Sequence, residues 1–281
     1  MSGVWRHCRA RAVKKAFTKA GAQTRPCKSA GQGAPGAATL WAMTGPARNI
    51  VILTGAGISA ESGLGTFRDA GGIWAKFDPM KLATPEGYAT DPDAVLDFYS
   101  ARRANLLDAR PNAAHLALAQ LEQAWMMAGR GEFLLVTQNI DDLHEQAGSA
   151  NLLHMHGELL KTRCTACGHL FTDREPLTLA RACPSCGAAG TLRPHVVWFG
   201  ELPLDMDRIY TALETVDLFV AVGTSGTVWP AAGFVQEAKA ARAWTVELSL
   251  EPGEVSAMFD ERHYGPATQV LPAWLGGLEA V

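Results

Sequence analysis

Four cysteines near the middle of the chain carry the most specific chemistry in the sequence. Cys164 and Cys167 form one Cys-x2-Cys pair and Cys183 and Cys186 a second, with fifteen residues between them. Two such knuckles each offer two thiolates to one tetrahedral ion, and the stretches CTACGH and CPSCGA supply the turns. Four sulfur ligands leave no open position, so the expectation is one structural zinc ion with no Lewis-acid role. Two disulfides are the alternative, but the start of the chain lacks the apolar core of an export signal that would favour an oxidising compartment.

Other candidates follow short apolar runs. GAGISA places Gly55, Gly57 and Ala60 in a GxGxxA pattern, which lets backbone approach a pyrophosphate. A dehydrogenase would show an acidic residue about twenty positions on. This chain runs instead into ESGLGTFRDAGGIW, a glycine-rich loop with Phe67 and Arg68 that reads as a cover over a cofactor. TQNIDDLH offers Gln138, Asn139 and Asp141; Asn and Asp together can pair with a carboxamide, and Asp141 could equally cap a helix. LLHMHGELL sets His154 and His156 on one face, with His156 beside Gly157. An imidazole has the pKa range of a general base, although a structural histidine fits the same pattern. In VLDFYSARRANL, Val95, Leu96, Phe98 and Leu106, followed by Leu107, recur at helical spacing, and Tyr99 and Arg102 fall on one face. A phenol and a guanidinium side by side can receive a carboxylate; a Tyr packed on the core and an Arg reaching water is the other reading.

The elements that must position these groups alternate. NIVILTG, EFLLVTQN, DLFVAVGT and WTVELS are Val/Ile/Leu-rich runs suited to a parallel sheet buried on both faces. AAHLALAQLEQAWMM and PAAGFVQEAKAA are helical candidates between them. Strand–helix alternation predicts a doubly wound α/β domain, interrupted by a helical piece at about residues 75–112 and the cysteine segment at about 158–196. Ligands of such sheets bind beyond the carboxyl ends of the strands, where TGAGIS, TQNIDDLH, HMHGE and GTSGTVWP all fall. Residues 1–48 carry nine Lys/Arg and no acid, while the remainder carries sixteen against twenty-eight. That acidic remainder argues against a DNA-gripping protein, and no apolar run is long enough for a membrane span. The basic start is expected to be a disordered extension without chemistry; a transit peptide, or a true start at Met43, are the other options. The expected compartment is cytoplasmic, or mitochondrial if that start is a transit peptide.

GAGISAESG, TFRDAGGIW, TQNIDDLHEQAG, HMHGE, the four cysteines, RPHVVWFGE, GTSGTVWPA and YGPA occur in the order seen in sirtuins, the NAD-dependent protein lysine deacylases. The resemblance spans about residues 49–275 and implies a Rossmann-like parallel-sheet domain with a smaller lobe of zinc ribbon and helices. It implies that Gly55, Ala56, Gly57, Ser59, Ala60, Glu61, Thr66, Phe67, Arg68 and Trp74 line the NAD site, with Gln138, Asn139, Ile140 and Asp141 around the nicotinamide and its ribose. Gly223, Thr224, Ser225, Ser249, Leu250, Glu251 and Ala267 are implied as further NAD contacts. His156 resembles the catalytic base, helping to deprotonate a ribose hydroxyl after the acyl-lysine oxygen has displaced nicotinamide; the implied products are free lysine, nicotinamide and O-acyl-ADP-ribose. Val197, Phe199, Gly200 and Glu201, with Val228 opposite, resemble the edges between which a substrate peptide inserts as a strand. Ala83, Tyr99 and Arg102 match the acyl pocket of the subgroup acting on succinyl- and malonyl-lysine. One departure is Ser249-Leu250-Glu251 where the family usually has Asn-Leu-Glu, which implies modestly weaker NAD binding. Protein mono-ADP-ribosyl transfer on the same fold is the alternative activity; a nucleic-acid-binding ribbon fits less well. The expected partners are acylated-lysine proteins, with no specific nucleic acid and no membrane.

Overall fold

The computed structural model describes residues 49–65 and 78–279. Six parallel strands form the main sheet: β1 (Ile50–Thr54), β2 (Phe133–Thr137), β3 (Leu152–His154), β7 (Leu218–Val222), β8 (Trp244–Ser249) and β9 (Glu261–Tyr264). Their spatial order is β3-β2-β1-β7-β8-β9, so the chain winds outward first on one side of β1 and then on the other. β1, β2 and β7 are buried at every position, which explains their unbroken apolar runs. The sheet reverses its winding between β1 and β7, and that switch point opens a crevice beyond their carboxyl ends.

Among the described residues there are seven longer helices and two single turns, shared between this sheet and a smaller one: α1 (Ala56–Ser59), α2 (Pro79–Leu82), α3 (Pro85–Thr90), α4 (Pro92–Asp108), α5 (Ala113–Met127), α6 (Leu143–Ala147), α7 (Met206–Glu214), α8 (Phe234–Ala240) and α9 (Ala267–Glu279). On one face of the sheet Leu118 and Trp125 of α5 and Leu271 and Trp274 of α9 pack on Ile52, Leu135 and Val246. On the other, Ile209 and Leu213 of α7 and Phe234 and Val235 of α8 pack on Val51, Val136 and Phe219. PAAGFVQEAKAA is helical only from Phe234, because residues Ala231–Gly233 make a tighter 3-10 turn.

A second sheet of three antiparallel strands has the order β5-β4-β6: β4 (Gly157–Cys164), β5 (Leu170–Thr172) and β6 (Leu192–Val196). α4 packs against it through Val95, Phe98, Tyr99 and Leu106, which meet Leu159, Leu160, Val196 and Trp198. Pro92 in the first turn and an Asp91 side chain accepting from Ala94 N–H at 3.1 Å start α4 where the sequence signals it. The buried arc of α4 runs through Val95, Leu96, Phe98, Tyr99, Arg103 and Leu106. Leu107, expected among its apolar residues, is 38% exposed because it lies past the edge of that arc.

Candidate active site and metal centre

The loops after β1, β2, β3 and β7 meet at the switch point. Gly55 N–H donates to Val222 O at 3.0 Å and Gly57 N–H to Gly223 O at 2.9 Å. A Cβ on Gly57 would stand 2.8 Å from Gly223 Cα, and one on Gly223, whose φ is +62°, would stand 2.5 Å from Ile58 N. These glycines therefore let two backbone turns touch, a requirement the sequence shows only as a phosphate-loop pattern. Ala56 and Ala60 flank this turn, half-buried, and Glu61 is exposed, its carboxylate accepting from the Thr268 hydroxyl at 2.7 Å. Thr66, Phe67, Arg68 and Trp74 lie outside the described residues.

Beneath that turn sits a buried polar cluster. Asn139 Nδ2 donates to Gly55 O and to Ser59 Oγ, each at 3.1 Å, and Ser59 Oγ donates to Asp141 Oδ2 at 3.0 Å. Asp141 Oδ1 also accepts the Leu143 N–H at 3.2 Å, so this residue joins the cluster to the first residue of α6, although the N-cap position itself falls on Asp142. Burial pushes the Asp141 carboxyl up, and those two hydrogen bonds offset part of the rise. Asn139 Oδ1 has no hydrogen-bond partner among the described residues, and that uncommitted acceptor beside a carboxylate suits an amide ligand. Two histidines that sequence reasoning missed support the cluster from below. His115 Nε2 lies 3.4 Å from Ser59 Oγ and His144 Nε2 lies 3.0 Å from Thr54 Oγ1, their rings 4.9 Å apart. Burial pulls His115 down to about 4 and His144 well below its ordinary value, so both are neutral near pH 7.

His156 is half-buried just past β3. Its Nδ1 lies 2.9 Å from Gln138 O, and a carbonyl only accepts, so Nδ1 carries the proton. Nε2 makes no hydrogen bond among the described residues, and burial lowers the imidazole pKa against the opposing pull of Gln138. A neutral ring with a free Nε2 lone pair is chemically a base. His154 differs: Nδ1 meets Asn139 O at 3.1 Å and Nε2 meets Glu145 Oε1 at 2.7 Å. Burial alone would lower its pKa, but the Glu145 carboxylate outweighs burial and raises it, so His154 is committed to an ion pair.

Among the remaining expected residues, Ile140 O accepts the Leu159 N–H at 2.8 Å, tying the second loop to β4. Gln138, Thr224 and Val228 line one pocket beside the crevice. Gly223, Thr224 and Ser225 are half-buried after β7, and Ser225 Oγ is 2.6 Å from Thr227 Oγ1. Ser249 is buried at the end of β8, with Leu250 and Glu251 exposed beyond it, and Ala267 packs into the core at the start of α9.

Tyr99 and Arg102 come together as their spacing predicts, with the guanidinium carbon 5.8 Å from the Tyr99 ring centre and 5.6 Å from that of Phe98. Burial pulls the Arg102 pKa down, partly offset by Tyr99 and Asp141, and no hydrogen-bond or ion-pair partner serves it among the described residues. Burial pushes the Tyr99 phenol up against the opposing effect of Arg102, so the hydroxyl keeps its proton. Ala83 is buried in the same cluster, and its carbonyl accepts the Phe199 N–H at 2.9 Å. Val197 is half-buried, while Phe199 and Gly200 are exposed. Glu201 binds Arg193 through both carboxylate oxygens, at 2.8 and 3.0 Å.

The four cysteines converge at the far end of the small sheet. Cys164 and Cys186 Sγ are 3.8 Å apart, as are Cys167 and Cys183, and all four sulfurs lie within 4.8 Å of one another. A tetrahedron with Zn–S bonds of about 2.3 Å has edges of about 3.8 Å, whereas a disulfide needs about 2.05 Å. The four thiols thus fit a structural zinc ion.

Residues 55–230 match the Sir2 family. An NAD-dependent protein deacylase of Caulobacter vibrioides is 57% identical over 231 residues, spanning 82% of this chain and 97% of the relative. One from Escherichia coli K12 is 54% identical over 237 residues, spanning 82% and 84%. A solved Sir2 homolog–NAD complex aligns with a TM-score of 0.74 at 37% identity, covering 82% of this chain and 89% of that one. A solved Sir2 bound to acetylated peptide aligns with a TM-score of 0.70 at 25% identity, covering 82% and 94%. With the parallel sheet, the switch-point crevice and the four-thiol cluster already in place, the conclusion is direct: the chain belongs to the Sir2 family.

Proposed function

We propose that the protein is an NAD-dependent protein lysine deacylase that removes succinyl and malonyl as well as acetyl groups, releasing nicotinamide and an O-acyl-ADP-ribose. Deacylation with NAD is supported by relatives named for it that are more than half identical over most of their length. The acidic acyl preference is carried by one observation, the Arg102 guanidinium lying beside the Tyr99 phenol with no hydrogen-bond or ion-pair partner among the described residues. A partly desolvated cation with no directly paired carboxylate among the described residues is costly, and the distal carboxylate of a succinyl chain would supply one.

NAD, when bound, supplies an electrophilic ribose carbon and nicotinamide as leaving group. Asn139 Oδ1 would accept from a carboxamide N–H in a pocket that Ser59 and Asp141 hold rigid. His156 would take up a proton at Nε2 while Gln138 O keeps Nδ1–H in place. Ala83 leaves room for the acyl chain, Arg102 pairs with its carboxylate, and Tyr99 donates a second hydrogen bond. Val197, Phe199, Gly200, Glu201 and Val228 would flank the peptide, a mode consistent with a relative solved with acetylated peptide. Cys164, Cys167, Cys183 and Cys186 would hold zinc as a structural ion remote from the chemistry.

The test is mass spectrometry of one lysine peptide carrying acetyl, malonyl or succinyl, each with and without NAD. Loss of the acyl mass with nicotinamide release, fastest for the acidic chains, is the expected result. Gain of ADP-ribose on the peptide would favour transferase activity, and failure to remove succinyl would overturn the acidic-acyl reading.

A further inference from the structure

Trp198 stands between two residues expected to flank the peptide, yet it points inward and is 2% exposed. Its indole Nε1–H donates to the Tyr99 hydroxyl oxygen at 3.0 Å, in a fully buried contact. An indole N–H donates and never accepts, so Tyr99 must be the acceptor, and its own proton is left for another partner. The indole is held in turn. The Arg193 guanidinium carbon lies 3.4 Å from the Trp198 ring centre. Glu201 clamps Arg193 through both oxygens and also accepts the Trp198 backbone N–H at 2.8 Å. Tyr88 packs on the indole with ring centres 5.2 Å apart. Charge pair, stacked guanidinium, indole and phenol form one continuous chain that ends beside Arg102.

We infer that Trp198 is a positioning residue that determines acyl specificity: its N–H fixes the Tyr99 hydroxyl as a donor toward the acyl carboxylate. The inference rests on the acidic-acyl reading above. Without that N–H the hydroxyl regains its other rotations and loses the polarisation that a donor into its oxygen provides. An acetyl group has no carboxylate for Tyr99 to meet, so the cost falls on acidic chains.

The experiment replaces Trp198 with Phe and, separately, with benzothienylalanine, which keeps the bicyclic shape and exchanges only the N–H for sulfur. The ratio of kcat/KM for succinyl- over acetyl-lysine is measured on one peptide in the wild type, in both variants, in Tyr99→Phe and in the Tyr99→Phe/Trp198→Phe double variant. The ratio should fall about three- to tenfold in each Trp198 variant, the scale of one neutral hydrogen bond, mainly through KM. The double variant should fall no further than Tyr99→Phe alone, because the N–H acts through that hydroxyl. Equal losses on both acyl groups, or additive losses in the double variant, would overturn the inference. So would a wild-type ratio in the benzothienylalanine protein, which decides the matter even if Trp198→Phe fails to fold. A wild type that ignores succinyl-lysine would overturn the acidic-acyl reading and this inference together; a selective wild type with an unchanged Trp198 variant overturns the inference alone.

Discussion

Arg102 and Arg103 are adjacent, and replacing each with Met should separate specificity from stability. Arg103 is 1% exposed and commits all five of its N–H groups. Nε donates to Leu159 O at 2.8 Å, Nη1 to Asp173 Oδ2 at 3.1 Å and Glu175 O at 2.8 Å, and Nη2 to Lys161 O at 3.1 Å and Thr162 Oγ1 at 2.7 Å. Met keeps most of the stem volume and none of these bonds. Removing one partner of a buried ion pair costs about 3–5 kcal/mol. Asp173 would keep Arg181, at 3.0 and 3.1 Å, and Thr162 at 2.7 Å, which moderates the loss. Burial pushes the Asp173 carboxyl up, yet those hydrogen bonds and the Arg103 charge together hold it below its ordinary value. The Leu159 and Lys161 carbonyls lose this donor, and Glu175 O keeps only the long Arg181 Nη1 contact at 3.5 Å, which works the other way, so about 4 kcal/mol is expected. With a urea m-value of about 3 kcal/mol/M, the midpoint should drop by about 1.3 M. Arg102→Met should leave that midpoint unchanged or slightly higher. It should cut desuccinylation by about tenfold to a few hundredfold, the range for charge-assisted hydrogen bonds, and deacetylation by only a few fold. Urea unfolding followed by fluorescence, with steady-state kinetics on both acyl peptides, measures all of this. An Arg103→Met protein with a wild-type midpoint would refute the reasoning, and so would Arg102→Met losing both reactions equally.

His156→Ala should fold and still bind NAD, but deacylate at least about a hundredfold more slowly, while His154→Ala is much milder; comparable losses would mean that the base is misassigned. Because burial lowers the His156 pKa, deacylation kcat/KM should hold as pH falls to about 6.5 and decline only below that, and a decline centred above 7 would contradict it. Cys164→Ala, or zinc removal by a chelator, should yield a poorly folded small sheet and indirect loss of activity; a well-folded, active, zinc-free protein would count decisively against the structural role. His115 is held at about 4, so the folded state binds its proton at lower pH than the unfolded chain does. Its stabilising contribution is complete above about pH 6.5 and is lost as pH falls toward 4, by up to about 3 kcal/mol. His115→Gln should therefore flatten the fall of the urea midpoint between pH 6.5 and 5, and an unchanged slope would refute this.

Legibility in the sequence tracked how local the signal was. The runs that became β1, β2, β7 and β8 are apolar because both sheet faces are covered, and α5 matches AAHLALAQLEQAWMM residue for residue. The four cysteines are readable because metal geometry constrains spacing directly. β6 was unreadable, since Arg193 and Pro194 break any strand pattern; only its edge position, paired with β4 alone, tolerates that proline. β9, ERHY, is a mostly exposed edge with no apolar alternation. Helical spacing alone, which puts both Arg102 and Arg103 within a turn of Tyr99, does not show that Arg103 is the buried one, because its fate depends on β4 carbonyls about sixty residues away; the resemblance picks out Arg102. Trp198 reads as one more apolar residue in VVWFGE, and its donor role exists only once α4 lies across β6. The buried His115 and His144 are likewise invisible, being partners of loops from other strands.

The His156–Gly157 junction has a mechanical consequence. Gly157, at φ +79°, turns the chain from the large sheet into the small one, and a Cβ there would stand 2.1 Å from His195 O. The returning strand leaves at the same place, where Val197 N–H donates to His156 O at 2.8 Å. Entry and exit of the ribbon are thus stitched together at the histidine itself. Any rocking of the ribbon against the parallel sheet has its fulcrum there, and a group at a fulcrum travels least.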